Sequence, residues 1–184
     1  DESDLRRGWP SVNRVWKNKL SILIGDYLFS KALTNMADVN SMESVQILAN
    51  LASRLSQGEI LQIEKSLNVD MDENTYFKMI SDKTASLFSA SCKLGALTST
   101  DNEEQINGLS KFGELLGQAF QIKDDLFDII GTSIQTGKPS GYDLKRNMLT
   151  LPLIHILSCK NSIQKISFQM KLKLLSRKNK LNQI

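Results

Sequence analysis

The sequence predicts an all-α helical bundle, and three observations carry that prediction. Apolar residues recur at the three-to-four-residue spacing of a helix face through most of the chain, and strand-like alternation is scarce. Three prolines in 184 residues leave room for long uninterrupted helices. Short polar clusters with helix-start chemistry separate the periodic segments, as in bundles whose neighbours are joined by short connections. The length gives one domain with a sizeable core, and 41% apolar and 23% charged residues are ordinary for a globular protein.

Each element has its own signal. Asn13 is placed to cap a first helix over about 14–36. Asn40-Ser-Met-Glu43 has the spacing of a capping box and opens a second helix, to about residue 66. Asp70-Met-Asp-Glu73 opens a third, to about 98, and Asp101-Asn-Glu-Glu104 a fourth, to about 130. GTSIQTGKPSGYD, with three glycines and a proline, then breaks the pattern as the one long loop. A helix over about 148–158 follows, and a basic helical tail, 160–184, completes a single domain spanning 1–184. DESDLRRG has no initiator Met and reads as the interior of a longer chain, so N-terminal helices of the bundle are expected to be missing here.

Composition removes several function classes. Cys92 and Cys159 are too few for a disulfide framework or a zinc cluster, which fits a reducing, cytoplasmic setting. His155 is the single histidine, so a serine or cysteine triad has no support; on the apolar LTLPLIHIL it reads as a packed core residue. The longest apolar run, LSILIGDYLFSKAL, is broken by Asp26 and Lys31 and is too short to span a bilayer. Charge is uneven: residues 1–143 carry 14 basic and 20 acidic side chains, residues 144–184 nine basic and none acidic. The preferred reading of that tail is a solvated helix, or one lying against the acidic body. No nucleic acid is expected, and at most peripheral membrane contact.

The stretch QIKDDLFDIIG places Asp124, Asp125 and Asp128 among Ile, Leu and Phe. On a helix over 112–130, Glu114, Gly117, Gln118, Asp124, Asp125 and Asp128 fall within roughly 60° of Gln121. The remaining arc is apolar apart from Lys123, which predicts a mostly embedded helix with a narrow acidic stripe. That stripe is either a thin solvent face, or paired with basic residues, or the wall of a water-filled cavity. In the last case the clustered carboxylates need a cation. Asp124 and Asp128, one turn apart, can share a hard ion such as Mg²⁺, which one or two carboxylates commonly hold together with substrate phosphates. Lys83 shares an apolar stripe with Met79 and Leu87, and Thr84 one with Ile80 and Phe88. A lysine there needs an anionic partner, either a structural carboxylate or a ligand. Lys138, beside glycines in GKPSGYD, and Arg6-Arg7-Gly8 are further cations suited to an anion. Acids and bases converging on one cavity fit a phosphorylated substrate bridged by magnesium.

The motifs resemble those of trans-prenyl diphosphate synthases of the polyprenyl synthetase family. GQAFQIKDDLFDIIG is similar to that family's second aspartate-rich motif, and GKPSGYDLKRNMLTLPLIHIL to the segment after it. DESDLRRGWPSVN resembles the segment that closes the first such motif, and LIGDYLFSKAL, LSQGEILQI and DKTASLFSASCKLGA match in order and spacing. The likeness covers about residues 1–158. It implies an isoprenoid-synthase-type bundle around a central cavity, usually a homodimer, that joins an allylic diphosphate to isopentenyl diphosphate by Mg²⁺-dependent ionisation. By motif position, Asp1 resembles the last aspartate of the first motif. Arg6 resembles a ligand of the allylic diphosphate, Arg7 one of the isopentenyl diphosphate, and Lys83 and Lys138 further ligands of the allylic diphosphate. Thr84 and Gln121 would sit near the developing cation, and Asp124, Asp125 and, partly through water, Asp128 would hold the third magnesium.

Three departures from the family pattern bear on function. The first two aspartates of the first motif are absent, so the 184 residues alone are not expected to turn over. Met148 stands where the family usually has a lysine, with Lys145 or Arg146 as alternative cations. The residues that often set product length are missing as well. Two rival functions follow: a non-catalytic or regulatory subunit of a heteromeric synthase, and a class I terpene cyclase. The cyclase is disfavoured because such enzymes usually replace the second DDxxD.

Overall fold

A computed structural model describes residues 5–6, 9–66, 71–130, 148–160, 163–164, 166–168 and 170–171. The chain divides into two compact units, Asp1–Ala49 and Asn50–Ile184. In the first, β1 (Leu5–Arg6) and β2 (Trp9–Pro10) form a minimal antiparallel hairpin with Leu5 opposite Pro10 and Arg6 opposite Trp9. Helix α1 (Val12–Asp38) follows, interrupted at Lys17, whose φ of 64° is foreign to a helix. No residue of α1 is buried. Helix α2 spans Met42–Ser66.

The second unit holds the core. Helix α3 (Glu73–Ile80) runs through a π-helical turn (Ser81–Ala85) into α4 (Ser86–Leu97). Helix α5 (Glu103–Ile130) packs along α4 and the turn, and α6 (Leu151–Ser158) rests on α3 and α5. Pro152 lies in the first turn of α6, where a missing amide hydrogen costs nothing. Tyr76, Ile80, Leu149, Ile154 and Leu157 form the buried cluster, with Met79, Ile122 and Phe168 packed against it. Glycines set the helix spacing. A Cβ on Gly117 would come within 2.5 Å of Ala85 Cα, and one on Gly113 within 2.6 Å of the Phe88 carbonyl oxygen, so α5 lies closer to α4 than side chains would allow.

The all-α class and the five helical segments are as the sequence predicts, and their ends differ by at most three residues. Ser11, not Asn13, precedes α1. Ser41 Oγ, not Asn40, accepts from the Ser44 amide at the start of α2; Asn40 adopts φ 55° at the turn. Asp72 caps α3 by accepting from the Thr75 amide at 2.7 Å. Asn102, not Asp101, caps α5 through the Glu104 and Gln105 amides.

Three packing expectations are corrected. The apolar arc of α5 is not embedded: Phe112, Phe120 and Ile130 are 57%, 55% and 72% exposed. The glycine-and-polar stripe, apart from the exposed Asp124, faces inward instead, because it supplies the close approach and the hydrogen bonds that join α5 to its neighbours. Leu87 is exposed rather than aligned with Lys83, since the π turn rotates the helix register between them. His155 is 70% exposed at its side chain and lies 3.6 Å from Glu73, outside the core.

Candidate functional site

The π turn places Asp82, Lys83 and Thr84 between α2 and α5. Such turns occur often at functional positions because they re-aim side chains within an otherwise regular helix. Gly58 of α2 lets the backbone of Lys83 approach, since a Cβ there would lie 2.5 Å from the Lys83 amide nitrogen. Beside the turn lies a cavity of about 110 Å³, lined on its polar side by Gln62, Lys83, Thr84, Gln121, Asp124 and Asp125. Met71, Met79, Ile80 and Leu149 supply an apolar wall.

The carboxylates of the stripe differ in environment. Asp125 is buried, 5% exposed. It accepts from the Tyr76 hydroxyl at 2.6 Å and from Gln121 Nε2 at 2.8 Å. Tyr76 itself is fully buried. Burial pushes the Asp125 carboxyl above the usual carboxylate range; the two hydrogen bonds oppose that rise, and the charges of Asp124 and Asp128 add to it. Asp124 is exposed and lines the cavity, whereas Asp128 is half-buried and is not part of its lining.

A relay continues from Asp125. Because Gln121 spends its amide hydrogens on Asp125, its oxygen faces the Thr84 hydroxyl, which donates to it at 2.8 Å. Lys83 forms an ion pair with Glu59 at 2.8 Å and donates to Gln62 Oε1. Gln62 in turn donates to Met148 Sδ, so the residue at the usual lysine position reaches the cavity wall as a thioether.

Of the site residues expected from sequence, Lys83, Thr84, Gln121, Asp124 and Asp125 meet at this cavity. Arg6 lies in β1 of the other unit. Asp1, Arg7 and Lys138 fall outside the described residues. Among the described residues, no three His, Cys, Asp or Glu side chains gather into a cage for a metal. The donors present still fit a magnesium ion. They are hard carboxylate oxygens with no competing thiolate or imidazole, and Mg²⁺ needs only one or two of them when phosphate and water fill its shell.

Several members of the site were missed. Tyr76 reads as a core residue, and Glu59 and Gln62 lie in the family-like LSQGEILQI without a role of their own. Arg54 offered a signal: it is the one charged side chain between Glu43 and Glu59, on an otherwise uncharged segment. It forms a bidentate pair with Glu114 at 2.7 and 3.0 Å and also binds Asp82 at 2.8 Å. Hydrogen bonding to Glu114, above all, strengthens its hold on its proton.

Comparison with known proteins fits this geometry. The family model described as polyprenyl synthetase matches residues 1–184. The chain is 41% identical over 158 residues to heptaprenyl diphosphate synthase component 2 of Geobacillus stearothermophilus, covering 86% of this chain and 49% of that protein. A decaprenyl diphosphate synthase from Rhodobacter capsulatus superposes with a TM-score of 0.83 at 34% identity, covering 96% of this chain and 58% of that one. A polyprenyl synthase from Caulobacter crescentus, complexed with calcium and isoprenyl diphosphate, gives a TM-score of 0.79 at 35% identity over 85% of this chain and 48% of that one. The chain spans about half the length of the curated relatives it matches. It belongs to the polyprenyl synthetase family.

Proposed function

We propose that the whole protein is a trans-prenyltransferase that extends an allylic prenyl diphosphate with isopentenyl diphosphate in 1'-4 coupling. The observation that carries this reading is the meeting of Lys83, Thr84, Gln121, Asp124 and Asp125 on one wall of a cavity whose other wall is apolar. A diphosphate needs cations at its oxygens, and a carbocation needs a dry pocket with a few oxygen dipoles; the two walls offer both. The Caulobacter relative with calcium and isoprenyl diphosphate supports the same ligand chemistry.

Lys83 is the cation placed to neutralise the leaving diphosphate, and it would exchange Glu59 and Gln62 for phosphate oxygens. Thr84 and Gln121 present oxygen lone pairs toward the cavity, where positive charge develops at the allylic carbon. Met79, Ile80 and Leu149 exclude the water that would quench it. The isopentenyl double bond attacks, and the proton it loses passes to the departing diphosphate, so the chain needs no histidine base. Asp124, with the remaining lone pairs of Asp125 and Asp128 one turn on, would hold Mg²⁺. The ion supplies charge neutralisation on the diphosphate oxygens. For Arg6 and Lys138 the proposed role is that of allylic diphosphate ligands, for Arg7 that of an isopentenyl diphosphate ligand and for Asp1 that of a metal ligand, as their motif positions imply.

The protein is further proposed to act in the cytoplasm, a reducing compartment that suits the free Cys92 and Cys159. A homodimer is proposed, because the exposed apolar arc of α5 is broader than a monomer usually leaves in water. A second reading, a subunit that acts with a different partner chain, is favoured by one observation: two similar relatives are named component 2 of a heptaprenyl diphosphate synthase.

The test is Lys83→Ala in the whole protein, assayed with an allylic diphosphate, isopentenyl diphosphate and Mg²⁺. Loss of a charge aimed at the leaving group should lower kcat about 100-fold or more, with the melting temperature little changed. Unchanged turnover with a large fall in melting temperature would make Lys83 the structural partner of Glu59. A wild-type protein that turns over only with a second chain added would favour the subunit reading.

A further inference from the structure

A π turn is less stable than the α-helix it interrupts, so something must hold this one open. Its amide and carbonyl groups show what does. The Ser86 amide reaches back to the Ser81 carbonyl, the five-residue bond of a π turn. The Asp82 carbonyl, the ordinary α-helical acceptor for that amide, is taken instead by the Ser86 hydroxyl at 2.6 Å. The Ser81 carbonyl receives a second donor, a terminal nitrogen of Arg54, at 3.1 Å. The same guanidinium holds the Asp82 carboxylate at 2.8 Å and grips Glu114 of α5 bidentately. Ser86 is 2% exposed, and the Asp82 and Glu114 side chains are 13% and 16% exposed. The Gln118 amide of α5 adds a bond to the Ser81 hydroxyl.

The consequence is geometric. Arg54 ties the start of the turn to α2 and α5, and Ser86 closes its end. Lys83 and Thr84 lie between those two ties. Relaxation to α geometry would remove one residue of register, a rotation of about 100° and a rise of about 1.5 Å. Lys83 and Thr84 could not then keep their present places on the cavity wall.

We propose that Arg54 and Ser86 are positioning residues for the prenyl-transfer site: they hold the π turn that aims Lys83 and Thr84 at the diphosphate. Neither lines the cavity; both act through the turn. The proposal rests on the functional reading above, and its test separates the two. Four forms of the whole protein are compared: wild type, Ser86→Ala, Arg54→Lys and Ser91→Ala. Arg54→Lys keeps the charge and loses the fork that reaches Ser81 and Glu114 together. Ser91→Ala is the control, because the Ser91 hydroxyl binds the Leu87 carbonyl at 2.8 Å within the regular helix α4, away from the turn.

Three quantities are measured: kcat and KM for each substrate, the melting temperature, and the affinity for inorganic diphosphate with Mg²⁺ by calorimetry. Ser86→Ala and Arg54→Lys should lose about 10- to 100-fold in kcat, the scale of a misplaced catalytic group. They should also bind diphosphate more weakly, with KM for isopentenyl diphosphate nearly unchanged. Ser91→Ala should match wild type throughout. If Ser86→Ala keeps both kcat and diphosphate affinity, or loses them only as far as unfolding accounts for, the proposal is overturned. If wild type makes no product, the functional reading fails, and diphosphate affinity still decides the positioning role. Should Arg54→Lys fail to fold, Ser86→Ala carries the test.

Discussion

Single residues here owe their behaviour to a few close partners. The Asp125 carboxylate is held by Tyr76 and Gln121, which turns a costly buried charge into the anchor of an oriented relay ending at Thr84. Asp72 shows the same chemistry at the surface. Its carboxylate caps α3, and the hydrogen bond from Thr75 lowers its pKa below the ordinary value. A depressed carboxylate pKa stabilises the fold at pH above the unfolded value of 3.8, and that stability is lost as the pH falls through the lower, folded value. Asp72→Ala should therefore lower the melting temperature at neutral pH, and the difference from wild type should shrink in acid; Asp72→Asn, which caps without a charge, should lose less. Thermal melts from neutral to acidic pH check this, and a deficit that grows in acid would contradict it. The cap was legible as one of several acids at 70–73. Which of them caps was not, since Asp70 and Asp72 both carry the right chemistry and the choice depends on where the chain enters the helix.

At the scale of elements, the period of apolar residues located the described helices, including α1, whose apolar stripe is not buried within this chain. It did not tell which stripe of α5 meets a neighbour within this chain. That was decided by Gly113 and Gly117, whose missing side chains let α4 and the π turn come close and draw the polar stripe inward with them. The π turn itself was invisible: nothing in SDKTA announces an extra residue per turn, and the helix projection misplaced Leu87 for that reason. Two glycines of α5 give a matched prediction. Gly117→Ala pushes a methyl group against Ala85 Cα and should destabilise by about 1–3 kcal/mol. Gly108→Ala meets nothing within 4 Å and should stabilise by about 0.5–1 kcal/mol, as removal of a mid-helix glycine does. Chemical denaturation of both variants checks the pair. Equal effects of the same sign would mean that α5 is not spaced by its glycines as described.

For the molecule as a whole, the proposed chemistry depends on bringing cations, carboxylates and an apolar wall to one cavity from segments far apart in sequence. The aspartates, Lys83, Thr84 and Gln121 were legible because their motifs are specific to the polyprenyl synthetase family. Arg54 and Tyr76 were not, because their role exists only once α2, α3 and α5 are packed. The central claim is that the acidic stripe of α5 is a diphosphate and magnesium site, not a packing face alone. Asp124 is its best probe: it lines the cavity, is exposed, and differs from Asn by one charge and almost no volume. The decisive measurement is kcat of Asp124→Asn in the whole protein, with the melting temperature taken on the same sample. The account predicts a loss of about 100-fold or more in kcat at an unchanged or slightly raised melting temperature. Turnover equal to wild type would contradict it.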